Sequence, residues 1–189
     1  MRGCYLARYG LPGGTLNLYR TWNQLKSKVY TRLPFLNELY GRLRARRLAS
    51  DPPLPPLAPL GCPLNEARVA LLTSAGVHQS DQAGFDMHHD LGDASFRVIA
   101  GQSATHDLTI THDYYDHSAA DRDLNCVFPL DRLRELVASE VIGSVAPRHV
   151  GFMGHILGQR RVELVEESAR AIADLFVTDD VHLVVGSPG

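Results

Sequence analysis

The sequence predicts an α/β protein, a mostly parallel sheet flanked by helices. Three observations predict it. The runs RVALLTSAGV (68–77), FRVIAG (96–101) and LTITHD (108–113) are rich in apolar and β-branched residues and read as strands. LDRLRELVASEVIG (130–143) and VELVEESARAIADLF (162–176) repeat apolar residues at helical spacing. VHLVV (181–185) follows the second helix at once, forming a helix-to-strand unit. Strands that alternate with helices pair in parallel, because each crossover helix carries the chain back to the starting edge. The expected architecture is a flavodoxin- or Rossmann-like half domain behind a helical N-terminal arm.

Taken in order, residues 1–20 hold Gly10, Pro12, Gly13 and Gly14 and read as irregular. Residues 22–47 read as two helical pieces. Trp22, Leu25 and Val29 share one face of the first, and Leu36, Leu39 and Leu43 one face of the second. Pro34 separates them, since proline lacks an N–H and clashes with the preceding turn. Six of the thirteen residues in DPPLPPLAPLGCP (51–63) are proline, which makes an extended linker. The chain thus divides into an arm and linker over 1–63 and an α/β domain over 64–189. In that domain NCVFP (125–129) reads as a short strand, and Asp131 as the cap of the helix behind it.

Composition narrows the function classes. Hydrophobic residues make up 44% of the 189-residue chain and charged residues 21%, and the formal net charge is -2. That balance argues against a general nucleic-acid binder. The eight Lys and Arg residues from Arg20 to Arg47, against Glu38 alone, form a basic stretch that reads as a solvated helix face or a docking patch. Cys4, Cys62 and Cys126 are far apart and form no CxxC pair, which fits a reducing cytoplasm. Cys126 reads as a core thiol. No apolar run reaches the roughly 20 residues of a membrane span.

Chemistry concentrates in THDLTITHDYYDHSAADRDLN (105–125), with FDMHHDLGD upstream and His149 and His155 downstream. Histidine beside carboxylate suits proton transfer, because the carboxylate fixes the imidazole tautomer. The candidate catalytic residues are His112, Asp113, Asp116 and His117. The same residue types hold metals, so His112 and His117 are an alternative metal pair, although no HExxH occurs. Loops at the carboxyl ends of strands are the usual sites in parallel sheets. Both SAGVH (74–78) and GSPG (186–189) occupy such places. Arg97 lies among apolar strand residues, where it faces solvent or clamps a carboxylate.

These motifs, ALLTSAGVHQSDQAGFD, GDASFRVI, LTITHDYYDHSAADRDLNCVFPLDRLREL and IGSVAPRHVGFMGHI, resemble the selenoprotein B family of glycine, sarcosine, betaine and D-proline reductases, nearest the D-proline branch. The resemblance covers about 68–189. It implies a reductase that cleaves a carbon–nitrogen bond of an amino acid such as D-proline or an N-substituted glycine. Ser74, His78, Asp93, Arg97 and His155 then become substrate-binding candidates. No cofactor is expected within the chain. The family's selenocysteine, or a cysteine in its place, is expected after Gly189, so the expectation is a chain read short at a selenocysteine codon. A fragment or a natural short relative is the alternative. The implied partners are other reductase subunits, one bearing a pyruvoyl group, with a thiol electron donor. The competing readings are a non-catalytic assembly relative and a metal-dependent enzyme built on the His/Asp cluster.

Overall fold

The computed structural model describes residues 58–189, together with Trp22, Leu25, Phe35, Glu38 and Arg42. Those five residues are helical and exposed, and Arg42 pairs with Glu38 at 2.6 Å. The rest of the expected arm lies outside the described residues.

The strands are β1 (Arg68–Thr73), β2 (Val77–Gln79), β3 (Phe96–Ala100), β4 (Leu108–Ile110), β5 (Ser144–Val145), β6 (Arg148–Phe152) and β7 (Leu183–Ser187). The helices are α1 (Leu130–Ala138), α2 (Gly158–Glu163) and α3 (Ala169–Thr178), with a π-helical turn, Leu164–Ser168, joining the last two. β1 is central. β7 runs parallel along one of its edges over its full length. β5 and β6 lie parallel along the other edge, and β3 closes that side antiparallel to β6. β2 and β4 form a separate antiparallel ribbon.

The mostly parallel flavodoxin- or Rossmann-like half domain is therefore not what folds. The sheet is mixed, and parallel pairing is confined to β1 and its partners. The reason is local. No α-helix intervenes anywhere between β1 and β4, so that half of the chain lacks the crossovers that parallel pairing requires. Gly76 instead turns the chain directly from β1 into β2. Its φ of +75° suits glycine, and a Cβ there would lie 2.5 Å from the Thr111 carbonyl oxygen.

Alternation along β1 builds two apolar layers. Val69 and Leu71 pack with Phe128, Leu130, Leu133 and Ile142 on the α1 side. Ala70 packs with Val150, Ile172 and Phe176 on the α3 side. Burying a side chain such as Leu71 contributes about 2 kcal/mol.

The β1 edge facing β5 and β6 carries a bulge. From Val69 to Leu72 the partner advances from Val145 to Val150, two residues more than β1 itself. Pro147 lies in this interruption and has no N–H to donate. His149, fully buried, fills the gap: its Nδ1 accepts the Leu71 N–H at 3.0 Å.

Other elements differ from expectation. NCVFP is a 3₁₀ turn at Leu124–Cys126 rather than a strand, held by the Asp123 side chain accepting from the Asn125 N–H. Cys126 is exposed there, not in the core. Asp131 does not cap α1, whose N-cap position is Pro129. It lies inside the first turn, where it accepts from Thr105, Asn125 and Arg134. β5 and β6 escape prediction because each is short and β6, RHVGF, carries charged and glycine residues.

Candidate active site

β1, β6 and β7 run in the same direction, so their carboxyl ends meet at one edge of the sheet. The Ser74 N–H donates to the Ser187 carbonyl, and the Gly189 N–H reaches Ser74 Oγ at 3.3 Å. The stretch after β4 closes over this edge. The Thr111 N–H bonds the Gly76 carbonyl, and the Gly76 N–H bonds the Phe152 carbonyl. A glycine is needed at 76 because the His112 Cβ would lie only 2.9 Å from an added Cβ. This close approach sets His112 against the end of β1.

His112 is buried, and both ring nitrogens face backbone donors. The Tyr114 N–H points at Nδ1 (3.2 Å) and the Gly154 N–H at Nε2 (3.1 Å). A neutral imidazole has one lone pair to offer, and an imidazolium has none. The environment therefore opposes protonation. Burial, and then the nearby His155, lower the His112 pKa to about 4, against an opposing pull from Asp113. A Cβ on Gly154 would sit 3.5 Å from His112 Nε2 and 3.6 Å from Ser74 Oγ, so these two groups face each other across the glycine.

Aromatic rings line the site. Tyr115 meets His112 edge-on at 4.9 Å, and its hydroxyl donates to the Ala75 carbonyl. Burial, then the Asp121 charge, push that hydroxyl above the usual tyrosine range. Tyr114 stacks on His155 at 4.0 Å. Gly92 abuts the His155 backbone at a φ of +81°, where any side chain would collide with the His155 carbonyl. The His117 ring also meets Tyr115, at 5.6 Å, with its Nδ1 on both oxygens of Asp121.

Of the residues singled out from the sequence, Ser74, His112, His117 and His155 gather around this edge. Asp113 is half-buried beside His112 and acts on it electrostatically. Asp116 is exposed and accepts the Ser118 N–H in a turn. His78 is buried, with Nδ1 on the Gln79 carbonyl and Nε2 on Thr111 Oγ1, so both nitrogens are used in the β2–β4 ribbon. Arg97 spends its guanidinium on the Ala83, Gly84 and Phe96 carbonyls and on Ser95 Oγ, and lies over the Phe85 ring. Asp93 accepts from Ser95 and from the Asp86 N–H. Burial works to raise its pKa, and these hydrogen bonds outweigh it to bring the pKa down. Both residues hold the 83–95 loop.

For a metal, His112 offers no lone pair beyond those its backbone donors contest. Among the described residues no group of three or more His, Cys, Asp or Glu side chains is arranged to hold an ion. No helix among them is long and apolar enough to cross a membrane. Tyr115 and Gly154 line this edge without having been singled out from the sequence, and Asp121 belonged to the 105–125 cluster without a role of its own. The i,i+4 spacing of His117 and Asp121 was the available signal for the last.

The chain matches the model of the family described as glycine/sarcosine/betaine reductase selenoprotein B over residues 50–187. It is 35% identical over 137 residues to the D-proline reductase subunit gamma of Acetoanaerobium sticklandii, a stretch covering 72% of this chain and 54% of that one. The chain spans about half the length of the curated relative it matches. No solved structure matches it.

Proposed function

The chain belongs to the glycine/sarcosine/betaine reductase selenoprotein B family, and from that premise we propose that it is the substrate-positioning part of a reductase that opens the carbon–nitrogen bond of an amino acid such as D-proline or an N-substituted glycine. One observation carries this reading: the end of β7 converges on Ser74 and His112, with the Gly189 N–H 3.3 Å from Ser74 Oγ. The reading puts the family's selenol or thiol beside this edge. Cys62 is half-buried and Cys126 sits in the turn after Asp123.

Such a soft nucleophile takes the substrate carbon as the carbon–nitrogen bond breaks, the electron pair goes to nitrogen, and a second thiol then takes the chalcogen while the carbon gains a proton. The residues of this chain bind and orient. The Ser74 hydroxyl suits a substrate carboxylate. His112 stays neutral and holds the Gly154 wall. The rings of Tyr114, Tyr115 and His155 exclude water. His117 is the open imidazole able to hold a proton for the departing nitrogen. The partners are other reductase subunits, one of them bearing a pyruvoyl group that activates the amine, and a dithiol supplies the two electrons.

The test uses the full-length protein with its partner subunits, D-proline and a dithiol. Appearance of the ring-opened amino acid supports the reading. Absence of carbon–nitrogen cleavage with D-proline, sarcosine, glycine and betaine alike overturns it. The outer edge of β7, with Leu183 and Val184 more than a third exposed, favours a second reading as a non-catalytic assembly subunit. Inactive protein that still co-purifies with the other subunits supports that one instead.

A further inference from the structure

We propose that Asp121 is a positioning residue, which fixes His117 with its proton on Nδ1 and leaves Nε2 as the working nitrogen of the cleft. The inference rests on the reductase reading above and deepens it. His117 Nδ1 lies 2.8 Å from Asp121 Oδ1 and 2.9 Å from Oδ2. An ionised carboxylate only accepts, so Nδ1 must donate. Nε2 makes no hydrogen bond among the described residues. It is therefore free to take a proton or to release one.

The surroundings set this imidazole apart from its neighbours. His78 and His112 have both nitrogens occupied. His149 is enclosed in the core. His117 is about a third exposed, with its ring against Tyr115, whose hydroxyl reaches the Ala75 carbonyl beside Ser74. A cavity of about 430 Å³ opens onto Asp121 from the side of Thr109 and Arg122. His117 does not line that cavity, and its partly exposed ring recovers the released proton from solvent directly. In the reductase step, the nitrogen receives the electron pair of the broken bond and takes its proton from Nε2 of the imidazolium. The ring is left neutral, with Asp121 still bound to the Nδ1 proton. The geometry is the carboxylate–imidazole pairing that orients a base in other enzymes, here on an i,i+4 turn.

The decisive experiment combines two readouts on the full-length protein. Nitrogen-15 spectra of the histidine rings above pH 8 report the tautomer. The wild type is expected to show His117 protonated at Nδ1, and Asp121→Ala to shift the ring to the Nε2 proton. In the assembled reductase, Asp121→Ala is expected to lower kcat about 10- to 100-fold with KM little changed, and His117→Gln to lower it at least as far. The double variant should lose no more than His117→Gln alone. Asp121→Asn separates charge from turn geometry, since it keeps the side-chain shape, and it should also lose rate. A wild-type ring protonated at Nε2 overturns the proposal, as does wild-type kcat in Asp121→Ala. A wild-type assembly with no carbon–nitrogen cleavage, but with the Nδ1 tautomer in place, sinks the reductase reading and not the positioning.

Discussion

The Nδ1 atom of His149 accepts the N–H of Leu71 at 3.0 Å, across the bulge between β5 and β6. A side chain thus replaces a backbone acceptor in the middle of the sheet. The expected cost of His149→Ala is about 3 kcal/mol, from the unsatisfied Leu71 N–H and the cavity beside Phe128 and Ile99. Urea unfolding measures it. A loss below roughly 0.5 kcal/mol would show that another group takes over as acceptor.

Two buried histidines make the fold acid-sensitive. Burial leads in lowering the pKa of both His112 and His149 to about 4, from a reference of 6.5. Their unfolded forms take protons first, so stability is full above pH 6.5 and falls as pH drops toward 4. Each contributes on the order of 3 kcal/mol over that window. The carboxylates of Asp93, Asp131 and Asp179, whose pKa values are lowered, add their loss only below about 3.8. Denaturant midpoints at pH 7.5, 5.5 and 4.5 should decline steadily. A flat profile would mean that the histidines are charged in the folded state.

Gly76→Ala should damage the site as well as the fold. Its φ of +75° and the 2.5 Å approach to the Thr111 carbonyl oxygen leave no room for a methyl group. The expected loss is about 2 kcal/mol or more. The His112 ring signals in a nitrogen-15 spectrum should move, because the 111–112 backbone must retreat. Gly154→Ala is the contrast. The nearest atoms to its new methyl group lie at 3.4 Å or beyond, so stability should hold within about 0.5 kcal/mol.

Arg97→Met should loosen the 83–95 loop rather than weaken substrate binding. The guanidinium is engaged by three backbone carbonyls and by Ser95 Oγ. Limited proteolysis is expected to cut within 81–92 faster in the variant. A large rise in KM with unchanged proteolysis would instead return Arg97 to the role of carboxylate clamp.

Much of this was legible because apolar periodicity is a local signal. β1, β3, β4 and α1 begin where the alternation and the 3.6-residue spacing put them, whereas α1 stops at Ala138 and β7 is shifted two residues onward, taking Gly186 and Ser187 from the expected GSPG loop. Pairing is not local, and there the reading failed. Nothing in the alternation of FRVIAG says that β3 will lie antiparallel to β6. RHVGF hides a strand because its buried histidine serves as a backbone acceptor rather than as a polar surface residue. Histidine–carboxylate density singled out 112–117 as a group. It could not separate His112, held from both sides by N–H groups, from His117, open at one nitrogen. That distinction depends on Gly154, which lies 42 residues from His112 in sequence.

The pairing of β1 with three parallel strands on its two edges also sets an order of events during synthesis. β1 leaves the ribosome early, yet its parallel neighbours begin only at Ser144 and Leu183. Most of the domain must emerge while that apolar segment waits without a ladder to join. Such long-range closure slows folding and leaves the nascent chain prone to sticking. A chaperone that binds extended apolar peptides would find its target in RVALLT.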